Sequence, residues 1–232
     1  MTTDYDWQGF WGRKANDDSA LSASGRGSTS ITTFLHIVAD VFDVLKPLPS
    51  DHVLDLGCGP GMFSVVMAPL VARVHAADLA PEMVALAAAN LEPYANATAD
   101  GGSLTDTGQP LESFDKVLVY SVLQYLPSIE DAAVAFRELA RVMRPGAVGF
   151  LAANPDPYLR HKRVAQINAN PNKEARKHER SLIEQILWIS RVEAISMAAD
   201  SGLEAFARGE NRLTSQHEFM YGLVVHKPIA GT

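Results

Sequence analysis

The sequence predicts an α/β protein with a mostly parallel sheet and helices on both of its faces. Three observations carry this reading. The run Val53-Leu54-Asp55-Leu56 enters a turn, Gly57-Cys58-Gly59-Pro60-Gly61, and then a helix-like stretch from Met62. A second apolar run, Arg73 to Asp78, ends on a carboxylate and meets a helix start at Pro81. From residue 51 to about 153, strand-like and helix-like segments alternate, the pattern of parallel strands joined by crossover helices.

Taken in chain order, residues 1–50 form a leader. Trp7, Phe10 and Trp11 share one helical face, a Ser/Gly/Ala-rich stretch follows from Ser19 to Ser30, and Ile31–Leu45 reads as an amphipathic helix stopped by Lys46-Pro47-Leu48-Pro49. Residues 51–232 are the core. Strands are expected near 52–57, 73–78, 95–99, 114–120 and 147–153, with helices near 62–71, 81–91 and 129–143. Residues 155–182, rich in proline, asparagine and basic side chains, form a cap-like insert. A helical pattern resumes over 182–199, and strands are expected at 203–208 and 219–226.

Strand, glycine turn and helix together let a ligand approach the backbone closely, because no Cβ stands in the way. Such turns lie at the carboxyl ends of parallel strands, where open α/β sheets bind nucleotides. Asp78 lies 19 residues after Gly59, a separation that brings a second-strand acid to the ribose hydroxyls. A dinucleotide turn, G-x-G-x-x-G, needs glycine where this chain has Met62. The G-x-G-x-G pattern of Gly57, Gly59 and Gly61 points instead to a ligand without a pyrophosphate.

With these residues in place, Val53–Gly61 resembles the first motif of the class I S-adenosylmethionine-dependent methyltransferases. Asp78–Met83 resembles the family's acidic-strand motif, Ala99-Asp100-Gly101 its adenine motif, Ser113–Val117 its fourth motif, and Arg141–Gly146 its turn into the fifth strand. The resemblance implies a Rossmann-like, seven-stranded sheet whose last strand is antiparallel and inserted by a hairpin. It implies S-adenosyl-L-methionine as methyl donor and S-adenosyl-L-homocysteine as product.

It also implies roles for single residues. Asp78 holds the ribose. Asp100 and Gly101 meet the adenine, which Leu79 and Met83 flank. Asp55, a carboxylate inside an apolar run, ties down the turn amides or the donor's amino group. Ser121 sits beside the donor at the end of the fourth strand, and Arg26 reaches the donor's carboxylate from the leader. For catalysis, Tyr125 and His217 are the candidates, with His161 a weaker one. The family often carries histidine near Gln124 or Tyr125, so its absence removes an obvious base. Cys58 reads as a small residue between glycines rather than a nucleophile.

The 232 residues, 47% apolar, suffice for one sizeable core. A net charge of −7 gives no general attraction to nucleic acid or an anionic membrane. One cysteine excludes an internal disulfide and a cysteine-rich metal site. No His/Asp/Glu cluster has metal-ligand spacing, no apolar run is long enough to span a membrane, and the polar start is no signal peptide, so a cytoplasmic protein is expected. Seven of the 20 basic residues fall between Arg160 and Arg180, a solvated face by default or a cationic cap for an anionic substrate. The expected function is methylation of a small molecule at oxygen or nitrogen. A non-catalytic S-adenosylmethionine-binding subunit and an RNA or protein methyltransferase are the competing readings.

Overall fold

The computed structural model describes residues 5–27, 29–214 and 218–229. Its centre is a seven-stranded sheet of β1 (His52–Leu56), β2 (Arg73–Asp78), β3 (Ala97–Gly101), β4 (Phe114–Tyr120), β5 (Met143–Pro155), β6 (Glu204–Gly209) and β7 (Met220–His226). The spatial order is β3-β2-β1-β4-β5-β7-β6. The first five strands pair in parallel, and β7 runs antiparallel between β5 and β6. The expected inserted hairpin is present.

Alternation along β1 divides the core. Leu54 and Leu56 join a cluster with Phe136 and Leu139 of α6 (Ile129–Val142) and Ala194 and Ala198 of α9 (Arg191–Asp200). Val53 faces the other way, toward Ile37, Val41 and Leu45 of α3 (Ile31–Leu45) and Phe63 and Met67 of α4 (Met62–Met67). With helices on both faces, β1 is buried almost throughout, which explains its continuous apolar run. Phe136 is fully buried, and its truncation to alanine would cost about 3–5 kcal/mol.

Several boundaries differ from the sequence reading. The helix expected over 62–71 ends at Met67 and tightens into a 3-10 turn, Ala68–Leu70, at Pro69, which has no N–H for a helical bond. The strand expected at 95–99 lies at Ala97–Gly101, and the fifth strand runs longer at both ends. The helical pattern over 182–199 is two elements. α8 (Lys173–Ile183) ends, and α9 begins at a capping box in which Ser190 and Glu193 satisfy each other's backbone amides. Tyr221 donates its hydroxyl proton to the Ile189 carbonyl at 3.1 Å, pinning the break.

The insert is helical rather than irregular. α7 (Arg160–Ala169) and α8 are separated by Asn170-Pro171-Asn172, and Asn172 caps α8 by accepting from Glu174 N and Ala175 N. Two ion pairs hold the insert together, Arg163–Glu179 at 2.8 Å and Arg160–Glu184 at 2.6 Å. The described residues of the leader form helices too. α1 (Trp7–Lys14) is capped by Asp6, α2 (Ala20–Ala23) buries Ala23, and the pair packs against α5 (Pro81–Leu91) through Ala80 and Met83. No helix among the described residues is long and apolar enough to cross a membrane.

Candidate active site

The glycine turn leaves β1 with Gly57 at φ 74°, Gly59 at φ 55° and Gly61 at φ 78°, all in the left-handed region. Two of them are needed for different reasons. A Cβ on Gly57 would overlap the Val122 side chain, so β4's exit packs directly on the turn. A Cβ on Gly59 would meet nothing within 4 Å and would project into open space. Gly57 N and Cys58 N donate to the Ala77 carbonyl at 2.7 and 3.0 Å, which fastens the turn to β2.

That open space belongs to a cavity of about 560 Å³. Its floor is Leu56–Gly59, Asp78–Ala80 and Ser121–Val122. The leader covers one side with Trp7, Trp11 and Arg26, and the insert with the segment after it supplies Ile183, Ile186 and Trp188. Phe219 and Met220 close it from the start of β7.

Asp78 stands on this floor. Its Oδ2 accepts from Gly59 N at 2.8 Å and its Oδ1 from Ala80 N at 3.0 Å. Burial raises its pKa, and these amide bonds oppose the rise. Each carboxylate oxygen keeps a lone pair, as a ribose ligand must. Leu79, half exposed, and Met83, buried, line the cavity beside it.

Asp55 lies beneath the turn, almost fully buried, and accepts from Ser64 Oγ at 2.6 Å. It does not line the cavity. Burial pushes its pKa up to about 6, with Asp78's charge adding to the rise and Arg26's opposing it. Of the two partners expected for it, the turn amides or the donor's amino group, the first is not seen, because its bonds run to the side chain and main chain of Ser64 in α4.

Asp100 and Gly101 stand just before the stretch of chain that lines the cavity. Both lie inside β3, Asp100 opposite Ala77 and Gly101 opposite Asp78. The Asp100 side chain is 64% exposed and sits 3.7 Å from His75 Nδ1. The chain reaches the cavity one residue later, at Gly102, Ser103 and Leu104, because the strand extends past the point where the sequence ends it.

At the exit of β4, Ser121 holds φ 63°, a strained conformation for a serine. Gln124 donates from Nε2 to Ser121 Oγ at 2.9 Å, and its Oε1 is buried with no partner. Tyr125 faces this pair, its pKa raised by burial, and packs at 4.5 Å from Trp7 and 5.4 Å from Trp11, ring to ring. A phenol held protonated in this way is a donor rather than a base.

Arg26 lies over the Tyr120 ring at 4.9 Å and donates to the Ser24 carbonyl at 3.2 Å. The other lining cations have acids: Lys14 pairs with Asp17 and Arg163 with Glu179. Arg26 has no ion pair among the described residues, and burial lowers its pKa. Asp55 acts on it only through space, and a buried guanidinium with no carboxylate in contact favours an anionic partner.

His217 falls outside the described residues, and His161 is exposed and off the cavity. The histidine that does reach the mouth is His178 on α8, which no local sequence signal distinguished. The basic island mostly answers to its own acids and carbonyls, and Arg163 is its one member at the cavity. Cys58 is buried with its thiol pKa raised, unlike a nucleophile. Among the described residues no three His, Cys, Asp or Glu gather to hold a metal.

A nucleoside carrying an amino acid fits these features. Asp78 offers acceptors for two hydroxyls, Gly59 leaves room beside the backbone, and Arg26 offers a charge for a carboxylate. Trp7 Nε1, buried with no partner among the described residues, adds a donor on the leader side.

Comparison with known proteins agrees. Residues 53–146 match the family model described as a methyltransferase domain. A ubiquinone biosynthesis O-methyltransferase of Xanthomonas campestris pv. campestris is 39% identical over 108 residues, 45% of this chain and 44% of that protein. The chain therefore spans less than half the length of the curated relatives it matches. The N-methyltransferase NodS of Bradyrhizobium japonicum WM9, solved with S-adenosyl-L-homocysteine, superposes with a TM-score of 0.67 at 14% identity, covering 95% of this chain and 98% of that one. Magnesium protoporphyrin IX methyltransferase of Synechocystis PCC 6803, also with bound S-adenosyl-L-homocysteine, gives 0.65 at 18% identity over 96% and 95%. At such identities these two establish the fold.

Proposed function

We propose that this chain, which carries a class I S-adenosylmethionine-dependent methyltransferase domain, transfers a methyl group to an oxygen or nitrogen of a small molecule. The observation that carries the reading is the pairing, in one cavity, of Asp78 beside an open glycine turn with the guanidinium of Arg26, which has no ion pair among the described residues. Asp78, the Gly59 turn and Arg26 would hold S-adenosyl-L-methionine, which would supply an electrophilic sulfonium methyl, and the proton of a hydroxyl or amine acceptor would be released to solvent.

The chain's own residues supply position and dryness. Asp78 fixes the ribose, and Met83 and Leu104 form apolar walls for the base. Arg26 takes the carboxylate. The leader acts as a lid, because Trp7, Trp11 and Arg26 all face inward from it. Ile183, Ile186, Trp188, Phe219 and Met220 surround the acceptor and exclude water. A cavity flanked by the leader and insert helices suits a small acceptor better than a folded RNA or protein. The O-methyltransferase relatives favour oxygen as the atom methylated.

The test is methyl transfer from deuterated S-adenosyl-L-methionine to panels of hydroxylated and amino small molecules, with RNA and protein acceptors alongside, read by mass spectrometry. Labelled product from a small hydroxylated or amino compound supports the reading. Label only in RNA or protein contradicts it, and tight donor binding without any turnover would favour the non-catalytic alternative.

A further inference from the structure

We propose that Gln124 is the residue that orients the acceptor, and that the acceptor presents it with a neutral hydroxyl. The inference rests on the methyltransferase reading above and concerns the same cavity.

Gln124 is 6% exposed and lines the cavity at the exit of β4. Its amide orientation is fixed from one end. Nε2 lies 2.9 Å from Ser121 Oγ and 3.5 Å from the Ser121 carbonyl, which can only accept. Oε1 is therefore the free end, a buried acceptor that receives no hydrogen bond within 3.5 Å among the described residues, with the Tyr125 phenol beside the same amide. A buried carbonyl oxygen left unpaired is costly, and native proteins rarely keep one without a use. The main chain of Gln124 has a separate duty: its carbonyl accepts from Leu187 N at 2.8 Å and so ties the wall-forming segment of Ile186 and Trp188 to β4. The side chain is not needed for that bond.

The neighbouring donor decides between hydroxyl and amine. Tyr125 faces the Gln124–Ser121 pair and stays protonated. A group placed there donates to Gln124 Oε1 and accepts from the Tyr125 hydroxyl. An amine that accepted from Tyr125 would use its single lone pair and lose its nucleophilicity. A hydroxyl oxygen has two lone pairs, so one can meet Tyr125 while the other faces the methyl. An ammonium cannot accept and a carboxylate cannot donate. The walls of Ile183, Ile186, Trp188, Phe219 and Met220 then require an apolar body behind the hydroxyl.

The experiment measures binding of three ring-matched probes, phenol, aniline and toluene, to the wild-type chain with and without S-adenosyl-L-homocysteine. The same probes are then tested on Gln124→Met, which keeps the volume and the main-chain bond but lacks the amide. Wild type is expected to bind phenol at least about fivefold tighter than toluene, the worth of one buried neutral hydrogen bond, with aniline between them. In Gln124→Met the phenol preference disappears while toluene binding holds. Equal binding of phenol and toluene by wild type, or a preference that survives in Gln124→Met, overturns the proposal. So does a tenfold loss of S-adenosyl-L-homocysteine affinity in Gln124→Met with the phenol preference intact, which would assign the amide to the donor's ammonium. Absence of S-adenosyl-L-homocysteine binding by wild type would overturn the methyltransferase reading instead, and is scored separately from the probe preference.

Discussion

The main-chain N–H of Gly59 donates to Oδ2 of Asp78 at 2.8 Å, so the glycine turn after β1 and the acid ending β2 form one unit. The bond leaves lone pairs on both carboxylate oxygens for ribose hydroxyls. It also makes the shape of the turn depend on the acid that shares its ligand.

Asp78→Asn is therefore expected to weaken S-adenosyl-L-homocysteine binding by at least about tenfold. The amide keeps one acceptor and presents N–H groups where acceptors are needed. Isothermal calorimetry measures it, and near wild-type affinity would remove Asp78 from the ribose site.

The turn glycines separate folding from binding. Gly57→Ala places a Cβ against Val122 in a left-handed conformation, so a loss of about 2–4 kcal/mol in denaturant unfolding is expected. Gly59→Ala pays about 1 kcal/mol of backbone strain with no overlap, because its Cβ enters the cavity. Its larger effect is lost donor affinity. Equal stability losses in the two variants would contradict the geometry.

Arg26→Met should weaken S-adenosyl-L-homocysteine but not 5′-methylthioadenosine, which has the nucleoside and lacks the amino acid. The expected loss is about tenfold or more for the first ligand and under about twofold for the second, for a charge-assisted bond worth about 1.5–3 kcal/mol. Parallel losses would make Arg26 a lid-packing residue, held by the Phe63 and Tyr120 rings and the Ser24 carbonyl.

Asp55 provides the pH test. Its carboxyl is pushed from 3.8 up to about 6 by burial, so the folded state prefers it protonated. The stability this gives is full below about pH 3.8 and is lost as pH rises through about 6. Asp55→Asn keeps an acceptor for Ser64 and removes the titration. Its melting temperature relative to wild type should rise between pH 4 and 7.5, by an amount on the order of 2–3 kcal/mol in stability. No change in the difference would show that Asp55 is not buried as a charge.

Much of the donor site was legible because it is local. Three glycines after an apolar run, and an acid 19 residues on, fix the turn and Asp78 within one βαβ unit. Which way Asp100 and Gly101 face was not legible, because side-chain alternation in β3 depends on its register against β2, which no short motif specifies. The break before α9 was readable in Ser190 and Glu193, though the surrounding apolar pattern hides it. The acceptor wall was not readable. It is assembled by the bond from Leu187 to Gln124 and by the approach of β7, contacts between residues far apart in sequence. The leader's aromatics announced a packed face, while their partner, Tyr125, lies more than a hundred residues away.

The most direct measurement of the central claim is a calorimetric titration of the wild-type chain with S-adenosyl-L-homocysteine. One site per chain is predicted, with binding heat and a shift in the fluorescence of Trp7, Trp11 and Trp188, which all line the cavity. Absence of binding, or binding that leaves those tryptophans unchanged, would contradict the account.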